Sequence, residues 1–447
     1  MPSNKEKELT LLNEQLSHHL EMILKCSVES NQYGLLPLAS PADSRYPYLY
    51  PRDASCEVQL FRRIAGSRNG YDVAPQAFEL MKSLAHFMKD VLSDAGHWGQ
   101  RYSMHGEDKS IYKQEDNAAH GMSIICNYLL SAHRLGKDVD ELEDFLECVN
   151  RSAAYSLENY YQRELNLFHS TTAIHESALE EGYTCWVNSS FLYAFSLAHE
   201  VAQTIDEKQI ISPSHLKFRK HFLYSVGELF ISGDRYVRRI TSEGYNDRRA
   251  DITLLSPFYF GFLHYRDALE RSVRYLEKHL WDPELGMIMR YLPFHKDFAT
   301  HVHAGHGPWL QYTAMLAQFH YWTGNRRRGD ELLGQIDRYK GEAGEIPEHI
   351  STCDRFERFM ETEWQTGIDF AKEFDKPILL DHVRFDKILE EANNMWKSYR
   401  ETARKCMFRA EAPGGGFIQF ASPLAWSHAE YARALLFRAG DWWKMRE

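Results

Sequence analysis

No stretch of this 447-residue sequence offers about 18 uninterrupted apolar residues, so a membrane-spanning helix is excluded. The first thirty residues are charged and amphipathic and lack the apolar centre of a secretory leader, which makes a cytoplasmic location the expectation. Basic residues are the minority, 52 Lys plus Arg against 63 Asp plus Glu for a formal charge of −11, with no long basic stripe. A nucleic-acid backbone would be repelled on average and is not an expected partner. The seven cysteines (Cys26, Cys56, Cys126, Cys148, Cys185, Cys353 and Cys406) are odd in number and scattered, with no C-x-x-C pair. That is the pattern of reduced, mostly buried thiols in a reducing compartment.

Familiar catalytic signatures are missing too. His199-Glu200 has no second histidine one helical turn on, so it cannot place two zinc ligands on one face. His301, His303 and His306 cluster without an acidic or cysteine partner at a fixed offset, and no metal is expected there. Gly414–Gly416 has neither a Walker lysine nor a strand–helix context, and no G-x-S-x-G elbow exists for a serine nucleophile. No cofactor is implied.

What the chain does have is apolar and aromatic material: 44% hydrophobic residues, with 25 Tyr, 25 Phe and 10 Trp. Such rings build a large core, or a cleft in which they stack on the apolar faces of sugars. Apolar residues recur at helical spacing almost throughout, starting with Leu9, Leu12, Leu16, Leu20 and Ile23. Further helices are predicted near 54–66, 74–94, 117–135, 139–163, 183–204, 213–231, 254–280, 304–323, 326–340, 355–373, 382–404 and 424–441. Period-two alternation is scarce, with Arg235–Ile240 the best candidate for hairpin strands. The expected class is all-α, with helices paired so that about twelve of them close into a ring of six hairpins. No strict repeat argues for a solenoid. Function is expected on the connecting loops, which carry Gly, Pro, aromatic and charged residues together.

Arg52-Asp53 follows the run Tyr46-Pro-Tyr48-Leu-Tyr50-Pro and precedes a helix, so the pair projects from a helix entrance and can fork onto sugar hydroxyls. An acid at that position also stabilises a helix start without any other role. Gln114-Glu-Asp116, following Tyr112, repeats the pattern and admits the same plainer account as a cap. Glu176 lies on a polar loop before the apolar helix carrying Cys185-Trp186-Val187-Asn188, and Glu348 lies in Gly344-Glu-Ile-Pro-Glu-His349. Cleavage of a glycosidic bond needs one protonated acid beside the leaving oxygen and one ionised base holding water, delivered by loops that converge in space.

In order, Tyr46–Asp53, Tyr112–Asp116, Cys185–Asn188, Ala250–Pro257, Arg290-Tyr291, Gly307-Pro-Trp309-Leu310, Pro347-Glu348 and Ser422-Pro-Leu-Ala-Trp-Ser-His428 resemble the successive motifs of the glucoamylase family, glycoside hydrolase family 15. The resemblance implies an (α/α)6 toroid with its site at one end, and inverting exo-attack on small α-glucosides. It implies Glu348 as the base and Glu176 as the acid, although His175-Glu176 replaces the usual Trp-Glu and leaves Glu180 or Glu181 as alternatives. Arg52 and Asp53 would grip the non-reducing glucose; Tyr46, Tyr50, Tyr112 and Trp309 would stack; Gln114 and Asp116 would line the pocket; Arg290 would bond near the scissile linkage. The expected partner is a small carbohydrate. Residues 1–447 are expected to form one catalytic domain without the β-sandwich of many relatives. An extra helical insertion near 353–410 would roof the site or form a contact between copies in a homo-oligomer. An (α/α)6 phosphorylase, a catalytically silent sugar-binding barrel and a sugar epimerase are the rival functions.

Overall fold

The computed structural model describes residues 4–44, 46–171, 181–292, 307–362, 380–408 and 416–441. Fourteen helices among these carry the architecture: α1 (Asn4–Lys25), α2 (Pro51–Ala65), α3 (Ala74–Asp90), α4 (Asn117–Arg134), α5 (Leu142–Asn159), α6 (Cys185–Thr204), α7 (Arg219–Leu229), α8 (Ser256–Tyr259), α9 (Arg266–Leu280), α10 (Leu310–Trp322), α11 (Arg326–Arg338), α12 (Cys353–Thr362), α13 (Phe385–Ala403) and α14 (Ala425–Arg438). Helix α2 packs on α4, α4 on α6 and α6 on α8; α10 packs on α14, and α14 on α2. The ring closes where Phe258 of α8 meets Phe319 of α10 edge to face, with ring centroids 5.4 Å apart.

Around this inner ring lies an outer layer: α1 on α14, α3 on α2 and α4, α5 on α4, α7 on α6, and α11 on α10 and α14. Outer and inner helices alternate along the chain, giving the expected (α/α)6 toroid. The two layers differ in chemistry as their burial requires. Outer α9 buries a single stripe, Ala268, Leu269, Ser272, Val273, Leu276 and Leu280. Inner α10 is buried on every face from Leu310 to Tyr321, so its sequence shows no helical period.

Two differences from the sequence-based elements matter. The predicted 254–280 helix is broken: a 3-10 turn at Ile252–Leu255 leads into α8, and the chain reverses through Gly261, at φ +79°, before α9 begins. Pro257 favours the start of the short helix and Gly261 ends it, a stop signal hidden within an apolar run. The Arg235–Ile240 stretch does supply hairpin strands, but its two halves join different sheets. Arg235–Tyr236 pairs with Ile231–Ser232, while Arg239–Ile240 pairs with both Tyr183–Thr184 and Asn246–Asp247.

Helices α12 and α13 leave the toroid between two short antiparallel strands, β1 (His349–Thr352) and β2 (Phe417–Phe420), paired from His349↔Phe420 to Thr352↔Phe417. Cys353 follows that ladder directly, a Met407↔Phe417 bridge brings Cys406 alongside, and the two, 53 positions apart, form a disulfide with Cα atoms 6.2 Å apart. The expectation of seven reduced thiols is corrected for these two, and the thiol count no longer argues for a reducing compartment. Cys26, Cys56, Cys126, Cys148 and Cys185 are free and buried, as expected. Among the described residues, no helix is long and apolar enough to cross a membrane.

Candidate active site

Inner helices α2, α4, α6 and α10 each follow a loop that carries sequence-predicted site residues, and backbone hydrogen bonds stitch the loops at this end into a rim. Leu49 and Tyr102 exchange both of theirs, the Ile252 N–H donates to the Arg290 carbonyl, the Leu310 N–H to the Glu348 carbonyl, and the Ala425 N–H to the Ala39 carbonyl. Positive helix N-termini therefore gather at one end, a setting that suits carboxylates and polyhydroxylated ligands.

Arg52, in the first turn of α2, meets Asp116 at the entrance to α4 in a two-pronged pair: Nε to Oδ2 and Nη2 to Oδ1, both 3.0 Å. The Trp186 indole donates to Oδ2 at 3.1 Å, and His120 Nε2 stands 3.3 Å from the same oxygen while its Nδ1 faces Ser55 Oγ at 2.9 Å. Burial pushes the Asp116 carboxyl up, but Arg52 and His120 outweigh it and hold the group well below the usual carboxylate range. Burial keeps His120 below its ordinary value despite Asp116. Three inner helices are thereby tied through one carboxylate. Gln114 is buried and accepts from Asn117 Nδ2 at 3.2 Å. Tyr46 and Tyr50 are half-buried with ring centroids 6.1 Å apart, and so are Asp53, in the first turn of α2, and Tyr112, on the loop before α4.

Across the rim, Trp309 caps α10. Its ring stacks on His349 at 4.8 Å and 21°, His349 stacks on Phe420 at 4.3 Å and 5°, and the Arg290 guanidinium lies 4.6 Å from the Trp309 centroid. Gly307 makes the close approach possible, since a Cβ there would run into the Ile350 carbonyl.

Glu348 is held by its backbone: its N–H donates to Phe420 O at 3.0 Å and Ala421 O at 3.2 Å. Its side chain is 11% exposed, with Oε2 3.2 Å from His349 Nδ1. The closing motif fixes the turn before it. Ser427 Oγ donates to the Pro347 carbonyl at 2.8 Å, the Leu424 N–H donates to the Ile346 carbonyl at 2.9 Å, and His428 Nε2 accepts the Ile346 N–H at 2.9 Å. Because that nitrogen accepts, the proton of neutral His428 sits on Nδ1 and is directed at His19 Nδ1, 3.0 Å away on α1.

Burial, with help from Lys340, His18 and neighbouring charge, keeps both imidazoles well below their ordinary value. An unfolded chain protonates them near pH 6.5, so stability is complete above that pH and drains as pH falls, by up to about 1.4 kcal/mol per pH unit for each. Chemical denaturation between pH 7.5 and 5.5 checks this. Replacing His19 by Asn is expected to flatten the pH slope by up to one such increment, and an unchanged slope would refute the assignment.

Glu176 and Glu180 lie outside the described residues, as do His301, His303 and His306. The neck of the Glu176 loop is described. Ser170 and Gly182 exchange backbone hydrogen bonds of 2.8 and 2.9 Å, and Thr171 donates its N–H and Oγ1 to Glu115 Oε1 at 3.0 and 2.5 Å. Glu181, at the outer side of that neck, is half exposed, with its carboxylate 3.8 Å from His169 Nε2.

One residue escaped the sequence reading. Tyr312, one turn below Trp309, is fully buried, and burial raises its phenol. The positive charges acting on it are those of Arg290 and Arg52; the negative ones are those of Glu348 and Asp53. Charges far apart in sequence thus act on a single hydroxyl. Nothing in the sequence separates Tyr312 from an ordinary core ring.

No family model and no curated sequence matches the chain. Solved structures do. A glycosidase aligns with 99% of this chain and 100% of its own, at TM-score 0.59 and 16% identity; a variant is described in complex with glucose. The glucoamylase of Saccharomycopsis fibuligera aligns at TM-score 0.59 and 12% identity over 98% of this chain and 96% of its own. A bacterial glucoamylase complexed with acarbose gives TM-score 0.61 at 14% identity, over 98% of this chain and 56% of its own. The fold is theirs.

Proposed function

We propose that this chain is an inverting exo-glycoside hydrolase that releases glucose from the non-reducing end of short α-glucosides such as isomaltose, maltose or trehalose. The observation that carries this reading is that the loops at the start of the inner helices bring together Arg52 paired with Asp116, Arg290 over Trp309, and Glu348 bonded through its carbonyl to the first residue of α10. The glucose and acarbose complexes of structurally similar proteins support a carbohydrate ligand. The motifs that resemble glycoside hydrolase family 15 support the assignment of roles.

In this reading, Glu176 donates a proton to the glycosidic oxygen as the C1–O bond breaks. Glu348 takes a proton from the water whose oxygen attacks C1 from the opposite face, which requires carboxyl groups ~6.5–9.5 Å apart. Arg52, aligned by Asp116, and Asp53 hold hydroxyls of the terminal glucose, with Gln114 on the same wall. Tyr46, Tyr50, Tyr112 and Trp309 pack against ring faces, and Arg290 reaches the scissile linkage. No cofactor enters this scheme. The α12–α13 excursion favours short substrates, because the Leu380 N–H donates to the Ile111 carbonyl at 3.3 Å and so crosses from the Glu348 side to the Tyr112 loop.

The test is a screen of α-linked disaccharides with NMR observation of the first anomer released. β-Glucose appearing first, followed by mutarotation, is the expected result. α-Glucose from the attacked unit would mean retention, which for trehalose is α-glucose alone in place of one β- and one α-glucose. Glucose 1-phosphate formed only in the presence of phosphate would establish phosphorolysis instead, and binding without turnover a silent barrel.

A further inference from the structure

We infer that the Tyr312 hydroxyl contacts the substrate, as a fixed hydrogen-bonding group to one hydroxyl of the bound glucosyl unit. The inference rests on the hydrolase reading above and adds a binding residue to it. Tyr312 is 0% exposed, yet its Oη makes no hydrogen bond within the described chain. Buried phenols normally find a partner. Three other deeply set tyrosines do so: Tyr259 donates to Glu430 at 2.6 Å, Tyr431 to Asp337 at 2.7 Å, and Tyr71 to Asp441 at 2.7 Å.

The ring is clamped. Trp309 lies 5.8 Å from it and Trp426 meets it edge to face at 5.5 Å and 89°. The hydroxyl therefore cannot swing out to find a partner elsewhere, and it stands within the fields of two cations and two carboxylates already assigned to the site. Tyr236 marks the contrast. Its hydroxyl also lacks a partner, but the groups acting on it are Cys185 and Tyr265, which belong to the packing rather than to the site. A polyhydroxylated ligand is the chemistry that completes Tyr312: it supplies a neutral hydroxyl able to donate and accept, where a charged group would disturb the balance of four charges.

The test is Tyr312→Phe, assayed on the best disaccharide of the screen and on the same disaccharide lacking single hydroxyls of its non-reducing glucose. Loss of one neutral hydrogen bond in a desolvated site lowers kcat/KM by about 10–100-fold. Tm is expected to stay or rise, because the hydroxyl removed has no partner in the fold. The wild type is expected to discriminate against one deoxy substrate in particular, and the variant to lose that discrimination.

Activity within twofold of wild type, or an equal loss toward every deoxy substrate, overturns the contact; so does a drop in Tm that accounts for the lost rate. Those outcomes leave the hydrolase reading standing. If the wild type hydrolyses no α-glucoside but binds glucose by calorimetry, the hydrolase reading falls, and weaker glucose binding by the variant still supports the contact. If the wild type binds no glucose either, both fall.

Discussion

Replacing Glu348 by glutamine is expected to lower kcat on the order of 10³-fold while glucose binding changes by no more than about twofold. The substitution keeps the shape of the side chain and removes only its capacity to take a proton from water. The peptide that carries it does not depend on the carboxylate. It is fixed by its own N–H on Phe420 and Ala421, by Leu310 on its carbonyl, and by Ser427 and His428 on the two residues before it. Tm should therefore stay close to that of the wild type, separating loss of chemistry from loss of fold. Rates near wild type would remove Glu348 from the role of base and take the hydrolytic proposal with it.

Asp116→Ala should produce the largest loss of stability. The carboxylate it removes is buried and bonded twice by Arg52 and once by Trp186, with His120 alongside. Deleting one partner of a buried ion pair leaves an uncompensated charge and costs roughly 3–5 kcal/mol. With unfolding entropy of about 2.1 cal/mol/K per residue, that is a fall of about 4 °C in Tm for a cooperative chain of 447 residues. Activity is expected to fall further than stability, because Arg52 loses the group that aims it. Calorimetry and kinetics on Asp116→Ala and Asp116→Asn check both. A Tm unchanged in the alanine variant would show that the pair is not what ties α2, α4 and α6 together.

The sequence made much of this plain, and for identifiable reasons. Outer helices announce themselves through one buried stripe, as α9 does. Inner helices do not, since α10 is apolar or neutral all round, and their placement came from the loops before them. Arg52 and Asp116 were legible as charged residues at helix entrances, but sequence spacing does not reveal that they face each other. Glu348 was legible through Ile-Pro-Glu-His, and His428 through the closing motif, whereas the use of His428 to hold the Ile346 peptide depends on α1 returning beside α14. The disulfide was illegible because cysteines 53 positions apart meet only once β1 and β2 have paired. Tyr312 was missed because a functional ring and a core ring leave the same trace in a sequence.

The geometry of β1 and β2 bears on how the excursion relates to the rest of the molecule. It departs and returns through Cys353 and Cys406, whose Cα atoms are 6.2 Å apart, and Thr352 already sits opposite Phe417. A gap of that size is one a tight reverse turn spans. Residues 353–416 could be excised and Thr352 joined to Phe417 by such a turn, with β1 and β2 left as an ordinary hairpin. The barrel would keep Glu348 anchored to Phe420, and the entrance would be wider. On the proposed reading the span is a removable porch that limits how long a chain can enter, and its Phe356 and Tyr399 rings, edge to face on Phe420, are what a shortened chain would have to replace.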